Sequence, residues 1–208
     1  MQTPIIIEFA GIPNSGKTTL IHSLEATLRS SFNIAHFQEA AELVPSYIPK
    51  KTWDRNTWTT FKALQDLVAA KHMDVDIVLM DRSYWDACLW TEYMHTHNMC
   101  LTSEYHAMSS ILINAKESFG LQPDHLFLID VDVEESLQRR ANQDGLPAPV
   151  YSTTDFLTDY KKLMNSYFKD FPKNQIFRID TTSLTPEMVL QDAKDEILKI
   201  LKMVKKEN

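Results

Sequence analysis

Short apolar runs alternate with longer amphipathic stretches along the whole chain. We interpret the five clearest apolar runs as strands: Pro4 to Ala10, Asn33 to Glu39, Val75 to Asp81, His125 to Val131 and Gln175 to Asp180. The segments between them are long enough for helices, a spacing that is typical of a parallel sheet covered on both faces. The pattern therefore predicts one α/β domain over residues 1–208.

The clearest predicted helix is the last one. Thr185 is placed to cap it, and Pro186 suits its first position. Its apolar residues recur every three or four positions, at Leu190, Ala193, Ile197, Leu201 and Val204.

Two stretches are irregular, Leu43 to Asn56 and Asn142 to Ser152, and both contain prolines. We expect mobile loops there rather than domain boundaries. Shortly before the second stretch, Asp132 and Glu135 are placed like a capping box that opens another helix.

The composition narrows the class of protein. Of its residues 44% are hydrophobic and 24% are charged, as in ordinary globular proteins. A net charge of −7 argues against a long nucleic-acid surface, because binding a polyanion requires clustered Lys and Arg. Cys88 and Cys100 indicate free thiols. No signal peptide is recognisable, and no apolar run approaches the roughly 18 residues of a membrane span. We therefore expect a cytoplasmic protein with no membrane partner.

One segment carries a specific chemical signal. Gly11 to Thr18 matches G-x-x-x-x-G-K-[ST] at every fixed position, between a predicted strand and a predicted helix. Its glycines let the backbone curl so that N–H groups face one anion, and the helix adds its positive end. Lys17 would bind the β- and γ-phosphates of ATP, and the Thr18 hydroxyl would bind Mg²⁺. The predicted nucleotide-binding residues are Gly11, Pro13, Asn14, Ser15, Gly16, Lys17, Thr18 and Thr19.

Polar residues follow two other predicted strands. Asp81 ends the third strand, where it would hold Mg²⁺ or one of its waters, or order the site. Arg82 would contact an oxygen of the acceptor or of the transferred phosphoryl group. Glu39 ends the second strand, where a carboxylate can accept the proton of an acceptor hydroxyl. Glu42 is the alternative acid if that segment is helical.

Taken in order, these motifs resemble the deoxynucleoside kinase and thymidylate kinase group of P-loop kinases, over roughly Ile5 to Leu201. The resemblance rests on the phosphate loop, Glu39, Asp81-Arg82-Ser83, and Ile129-Asp130-Val131-Asp132 before Arg139-Arg140. It implies a three-layer P-loop NTPase fold, with a five-stranded parallel sheet, helices on both faces and a lid at about residues 139–152.

The resemblance also implies roles. Glu39 would be the base for the acceptor hydroxyl, with Arg82 as its positioning partner. Arg139 and Arg140 would be lid arginines that stabilise the transferring phosphoryl group. A helix over Trp53 to Gln65 would line the nucleoside pocket. Its candidate base contacts are Trp58, Phe61 and Gln65, and Tyr160 to Phe171 is similar to the helix after the lid.

The chain also departs from the family patterns. Ala40 stands where a proline usually follows the acid, and Gln38 stands where thymidylate kinases have an arginine. We therefore predict transfer of the γ-phosphoryl group of ATP to a hydroxyl of a small acceptor, foremost a (deoxy)nucleoside. The alternatives are a thymidylate-type nucleoside monophosphate kinase and a nucleotide-binding regulatory ATPase. The E-A-A and D-R elements also occur in P-loop proteins similar to nicotinamide riboside kinases. The oligomeric state stays open, with a homodimer among the alternatives.

Overall fold

The computed structural model describes residues 3–142 and 153–207. Within them, five strands form one parallel sheet in the order β2-β3-β1-β4-β5. The strands are β1 (Ile5–Ala10), β2 (Ile34–Phe37), β3 (Ile77–Asp81), β4 (His125–Asp130) and β5 (Ile176–Asp180). The central strands are the most apolar and most buried, while β2 and β5 are partly exposed edges. All five predicted strands are confirmed, with slightly shorter bounds.

Eight helices lie in the same parts of the chain. They are α1 (Lys17–Leu28), α2 (Ala40–Leu43), α3 (Trp53–Lys71), α4 (Tyr84–Thr96), α5 (Thr102–Phe119), α6 (Val133–Ala141), α7 (Thr154–Tyr167) and α8 (Pro186–Glu207). Helices α1 and α8 pack on one face of the sheet, and α3, α4, α5 and α7 pack on the other. The result is the three-layer α/β fold of P-loop proteins. Among the helices described, none is both long enough and apolar enough to cross a membrane.

The two predicted helix starts have different outcomes. Helix α8 begins at Pro186 as predicted, and Thr185 Oγ1 accepts a hydrogen bond of 3.3 Å from the Met188 N–H. The capping box of Asp132 and Glu135 is wrong, because the side chain at the N-cap Asp132 accepts no capping bond. Glu135 instead binds Arg139 at 2.8 Å, one turn along the helix. An ion pair on the helix surface has replaced the local cap.

The prediction of an irregular stretch from Leu43 to Asn56 is wrong at both ends, because each end lies in a helix. Helix α2 includes Leu43, and α3 begins at Trp53. The Thr52 side chain caps α3 by accepting a 3.3 Å bond from the Arg55 N–H, so the prolines of this stretch precede the helix rather than interrupt it. In the second stretch, Asn142 is the C-cap of α6 and residues 143–152 lie outside the described residues.

The strand register positions the site. Phe9 of β1 pairs with Asp81 of β3, and Phe37 of β2 pairs with Met80 of β3. The three loops that follow these neighbouring strands therefore begin side by side, at the carboxyl edge of the sheet. This edge brings together the glycine-rich loop, the residues after β2 and the residues after β3.

One acid interrupts the apolar centre of the sheet. Glu8 lies in β1, is fully buried and pairs in register with Met80 and Leu126. Burial raises the pKa of Glu8 to about 7, although the hydrogen bonds from the Trp85 and Asp86 N–H groups favour the charged form. The folded state therefore holds a proton on Glu8 more tightly than the unfolded chain does.

We predict that this proton makes the free energy of unfolding fall as the pH rises. The fall begins near the ordinary pKa of 4.5 and is complete above about 7, because the folded state alone stays protonated between these values. At about 1.4 kcal/mol per pKa unit, the loss is about 3 kcal/mol.

Urea unfolding of the wild type and of Glu8→Gln between about pH 4 and 8 checks this prediction. All other titrating groups are common to both proteins, so the difference between their unfolding free energies isolates Glu8. A difference that stays constant with pH would contradict the prediction.

Candidate active site

The glycine-rich loop after β1 curls for two separate physical reasons. Gly11 has φ +153°, and a Cβ there would lie 2.1 Å from the Ile129 carbonyl oxygen of β4. Gly16 has φ +95°, forms the N-cap of α1 and offers no side chain to cap it. The first N–H groups of α1 therefore have neither a side-chain cap nor an acid in the first turn. Such a helix end is suited to binding an anion.

Lys17 lies inside the loop and is only 5% exposed. Its Nζ donates hydrogen bonds to the carbonyl oxygens of Gly11 (3.2 Å) and Ile12 (3.0 Å). Burial, and then the nearby Arg82, lower the pKa of Lys17 to about 8, so it is protonated at neutral pH. The loop therefore presents a fixed positive charge.

The other predicted loop residues divide between support and surface. Ser15 is buried, and the Pro13 carbonyl oxygen accepts a 2.8 Å bond from the Ser136 hydroxyl of α6. Asn14 has φ +57°, and its buried Nδ2 has no hydrogen-bond partner among residues 3–142 and 153–207. Thr19 is exposed on the first turn of α1.

Thr18 and Asp81 meet across the sheet edge, where the Thr18 hydroxyl donates to Asp81 Oδ2. Asp81 is 1% exposed, and its Oδ1 has no hydrogen-bond partner in the described parts of the chain. A hydroxyl and a carboxylate with a spare oxygen are the donors that Mg²⁺ prefers. The structure thus brings together the two predicted metal-binding residues in a fitting arrangement.

Arg82 joins three parts of the site. Its Nη2 donates to the Gly11 carbonyl oxygen at 2.9 Å, its Nε lies 3.2 Å from Glu39 Oε1, and its Nη1 binds Asp86. The Tyr160 hydroxyl donates to the same Asp86 oxygen at 3.2 Å. The predicted base and the predicted arginine are therefore in direct contact.

The charges of this cluster influence one another. Burial alone would lower the pKa of Arg82, but the carboxylates of Asp86 and Glu39 outweigh it and raise the pKa further above its usual value. Burial raises the pKa of Glu39, against the opposing effect of Arg82 and Lys17. Glu39 is therefore a stronger base than an exposed glutamate. Glu42 lies apart, hydrogen-bonded to Gln38.

A cavity of about 150 Å³ adjoins this cluster, and Glu39, Arg82 and Asp86 lie in its wall. Other lining residues come from α3 and α4, namely Arg55, Asn56, Thr59, Ala63, Trp90 and Met94. The lining combines apolar surface with a few polar groups, as is usual for small-molecule sites.

The predicted base contacts on α3 lie on a different face of the helix. Trp58, Phe61 and Gln65 line a separate surface depression, and Phe61 is 50% exposed. The predicted helix is confirmed, but these three residues do not line the cavity beside Glu39. Trp58, Phe61 and Gln65 follow one another at spacings of three and four residues on one side of α3. Arg55, Thr59 and Ala63 follow at spacings of four on the side that lines the cavity.

The predicted lid arginines lie near the end of α6. Arg139 donates to the Thr181 carbonyl oxygen (2.6 Å), the Thr181 hydroxyl (3.0 Å) and the Ser15 carbonyl oxygen (3.4 Å). Arg140 follows on the same helix, and the rest of the predicted lid, residues 143–152, falls outside the described residues. In this arrangement Arg139 holds the back of the phosphate loop.

A second cavity, of about 360 Å³, lies at the other side of the phosphate loop. Ser15, Gly16 and Thr19 form one wall, and Arg139 and Thr181 form another. It shares no lining residue with the cavity beside Glu39. The phosphate loop therefore lies between two separate concave sites, an arrangement that suits a reaction between two substrates.

Several residues of the site carried signals that the sequence analysis did not use. Arg55, Asn56 and Thr59 are polar residues at helical spacing with Ala63, which marks one face of α3. Glu8 is an acid in an apolar strand, and such residues have a partner or a function. The sequence shows these polar residues, but which of them line the cavity, and which group Glu8 binds, follows only from the packing of distant elements.

Comparisons with known proteins agree with this fold. The sequence model of the thymidylate kinase family matches residues 59–193, beginning after the phosphate loop. A solved structure of the deoxyadenosine kinase from M. mycoides, with the products dCMP and a flexible dCDP bound, has a TM-score of 0.73 at 15% identity, covering 94% of this chain and 100% of that one. A dATP-bound structure of that kinase has a TM-score of 0.73 at 14% identity, covering 93% and 99%. At such identities the likeness shows the fold. No curated protein sequence matches the chain.

We predict that Gly11→Ala costs far more free energy of unfolding than Gly16→Ala. At Gly11 a Cβ would overlap the backbone of β4, so the sheet must shift, at a cost of more than about 3 kcal/mol. At Gly16 no atom lies within 4 Å of the added Cβ, and only the left-handed backbone costs about 1–2 kcal/mol. Chemical denaturation of the two variants measures both costs. Equal losses would show that packing against β4 does not constrain the loop.

Proposed function

Because the chain belongs to the thymidylate kinase family, and is therefore an ATP-dependent nucleoside or nucleotide kinase, we propose that its acceptor is the 5′-hydroxyl of a (deoxy)nucleoside. The observation that carries this proposal is the contact of Glu39 with Arg82 in the wall of a cavity beside the phosphate loop. A nucleoside in that cavity would place its hydroxyl between the carboxylate and the donor phosphates.

Glu39 is the proposed base. Its raised pKa gives it a greater affinity for the proton of the acceptor hydroxyl, and its contact with Arg82 holds the carboxyl group at the cavity wall. The hydroxyl oxygen would then attack the γ-phosphorus as the bond to the β-phosphate oxygen breaks, leaving ADP and a nucleoside monophosphate. Arg82 would orient the acceptor oxygen and offset negative charge at the reacting group.

The charges at the acceptor end favour a neutral acceptor. The one guanidinium of Arg82 is already shared by two carboxylates, those of Glu39 and Asp86. A phosphate dianion on the acceptor would meet both acids at close range, and the neighbouring Ala40 and Ala41 offer no cation. These contacts support a nucleoside over a nucleoside monophosphate.

A thymidylate-type monophosphate kinase is the second candidate. The family match favours it, and Arg55 lines the cavity with a guanidinium whose Nη2 donates to the Ala41 carbonyl oxygen at 2.6 Å. Turning this guanidinium toward an acceptor phosphate would break that bond. The two candidates therefore differ in whether Arg55 is structural or binds an anion.

On the donor side, we assign the triphosphate to the phosphate loop and the adenine of ATP to the cavity beside Arg139 and Thr181. Lys17 would bind the β- and γ-phosphates. Arg139 and Arg140 would offset charge on the transferring group, for which Arg139 would first have to release Thr181 and Ser15. Thr18 and Asp81 would hold Mg²⁺, which neutralises phosphate charge when bound. ATP use and two free cysteines also support a cytoplasmic location.

An acceptor screen tests the proposed substrate class. We predict that, with Mg-ATP, at least one (deoxy)nucleoside releases ADP and forms its 5′-monophosphate, while monophosphates give turnover at least about tenfold slower because of the two carboxylates. Nicotinamide riboside belongs in the same screen. The readouts are coupled ADP release and chromatography of the product. Preferential phosphorylation of thymidylate would replace the first candidate with the second.

Substitution of the proposed base forms a separate test. We predict that Glu39→Gln lowers kcat for nucleoside phosphorylation by about 10²–10⁴-fold, because the amide cannot accept the hydroxyl proton. Binding of ATP should stay close to that of the wild type, since Glu39 lies on the acceptor side.

The matched control is Glu42→Gln, three residues further along the chain. Glu42 pairs with Gln38 and is not part of the cavity wall, so this variant should retain its turnover. Full activity of Glu39→Gln would remove the base from the mechanism.

A further inference from the structure

Glu8 is a buried acidic group that the proposed reaction does not use. It lies in β1 between Ile6 and Ala10, on the sheet face that packs against the helices α3, α4, α5 and α7. Its register partners, Met80 and Leu126, are apolar and buried. An apolar residue at this position would complete the core, so the carboxylate needs a separate reason.

Both oxygens of Glu8 bind the same helix end. Oε2 accepts a hydrogen bond from the Trp85 N–H at 2.9 Å, and Oε1 accepts one from the Asp86 N–H at 2.8 Å. These N–H groups belong to the first turn of α4, where backbone N–H groups have no acceptor within the helix. The N-cap residue Ser83 makes no capping bond, and its buried hydroxyl has no partner in the part of the chain described. Glu8 of β1 therefore caps α4 in place of Ser83.

This cap lies immediately next to Arg82, whose backbone is strained. Arg82 has φ +59°, a left-handed conformation that non-glycine residues rarely adopt. Its N–H donates to the Phe9 carbonyl oxygen at 3.1 Å, while Glu8 holds the residues that follow. Two consecutive residues of β1 thus fix the chain on both sides of Arg82.

We propose that Glu8 is a positioning residue that directs the Arg82 guanidinium toward the acceptor cavity by anchoring the first turn of α4. Asp86 connects the two, because its N–H binds Glu8 and its carboxylate binds Arg82. A shift of this turn would move the carboxylate that holds Nη1 and loosen the contact between Arg82 and Glu39. The effect on catalysis, though not the structural anchoring, rests on the proposed function.

A double-mutant cycle with Glu8→Gln and Arg82→Lys tests this inference. Glutamine can accept only one of the two N–H bonds, and lysine keeps the positive charge between Glu39 and Asp86 but lacks the guanidinium fork. We expect Glu8→Gln to lower kcat at least tenfold in the wild-type background, with the KM for ATP little changed. In the Arg82→Lys background the same substitution should lower kcat less than twofold. Equal losses in both backgrounds would overturn the inference.

Two further variants separate positioning from general destabilisation. Ile6→Ala removes buried volume from the same strand and face, so it should lower the Tm without lowering kcat below the melting range. Should Glu8→Gln fail to fold, Glu8→Asp keeps the charge but is one methylene too short to hold both N–H groups. It should lower kcat while ATP binding persists. A loss of kcat in Ile6→Ala that matches its loss of stability would contradict a specific role for Glu8.

A spectroscopic readout distinguishes failure of this inference from failure of the proposed function. If the wild type phosphorylates no nucleoside, the proposed function fails and kcat is not informative. The Arg82 Nε–H resonance, assigned by its loss in Arg82→Lys, then decides. In the wild type it should exchange slowly, because Arg82 is buried beside Glu39 and Asp86. Faster exchange in Glu8→Gln, but not in Ile6→Ala, supports the inference, and an unchanged resonance refutes it.

Discussion

The buried guanidinium of Arg82 is the interaction on which the site depends. It bonds to the carbonyl oxygen of Gly11 in the phosphate loop, and pairs with Glu39 after β2 and with Asp86 in α4. Removing such a cation from water is costly unless carboxylates and carbonyls surround it. Two loops and the first turn of α4 are therefore bound to one group, and their relative positions follow from its need for partners. The strained backbone of Arg82 is the conformational cost of presenting one side chain to all three.

The same cluster explains how an acidic protein can bind the phosphates of a nucleotide. The net charge is −7, yet Lys17 and Arg82 concentrate positive charge at the carboxyl edge of the sheet. Each cation disfavours the other, and the low pKa of Lys17 reflects this as well as its burial. The carboxylates of Glu39, Asp81 and Asp86 offset that repulsion. Such an arrangement can favour an anion at one point, whereas a long polyanion needs cations distributed along a surface.

A feature of the fold or of the site could be predicted from the sequence when it depends on residues that are close together in the chain. The phosphate loop, the buried strands and α8 depend on neighbouring residues in sequence, and the sequence analysis identified all of them. Which side of α3 lines the cavity depends on how this helix packs against α4. The sequence analysis therefore named Trp58, which lies outside the cavity, and did not name Thr59, which lines it. The capping box failed for a similar reason, because Glu135 found a partner one turn away. Glu8 acts on a helix 77 residues further along the chain, which no local pattern reveals.

The acceptor is decided away from the phosphate loop. In the proposed reaction, that loop and the helix behind it would bind phosphates through backbone N–H groups, which do not distinguish one phosphoryl acceptor from another. The choice between a hydroxyl on a neutral nucleoside and a phosphate on a nucleotide falls instead to the residues after β2. Here those residues place Glu39 on Arg82 and leave Gln38 bonded to Glu42 outside the cavity. A carboxylate that already neutralises Arg82 leaves little attraction for an acceptor dianion, and it is also the group that can take a hydroxyl proton. In the proposed reaction, acceptor preference and base catalysis thus depend on the same ion pair.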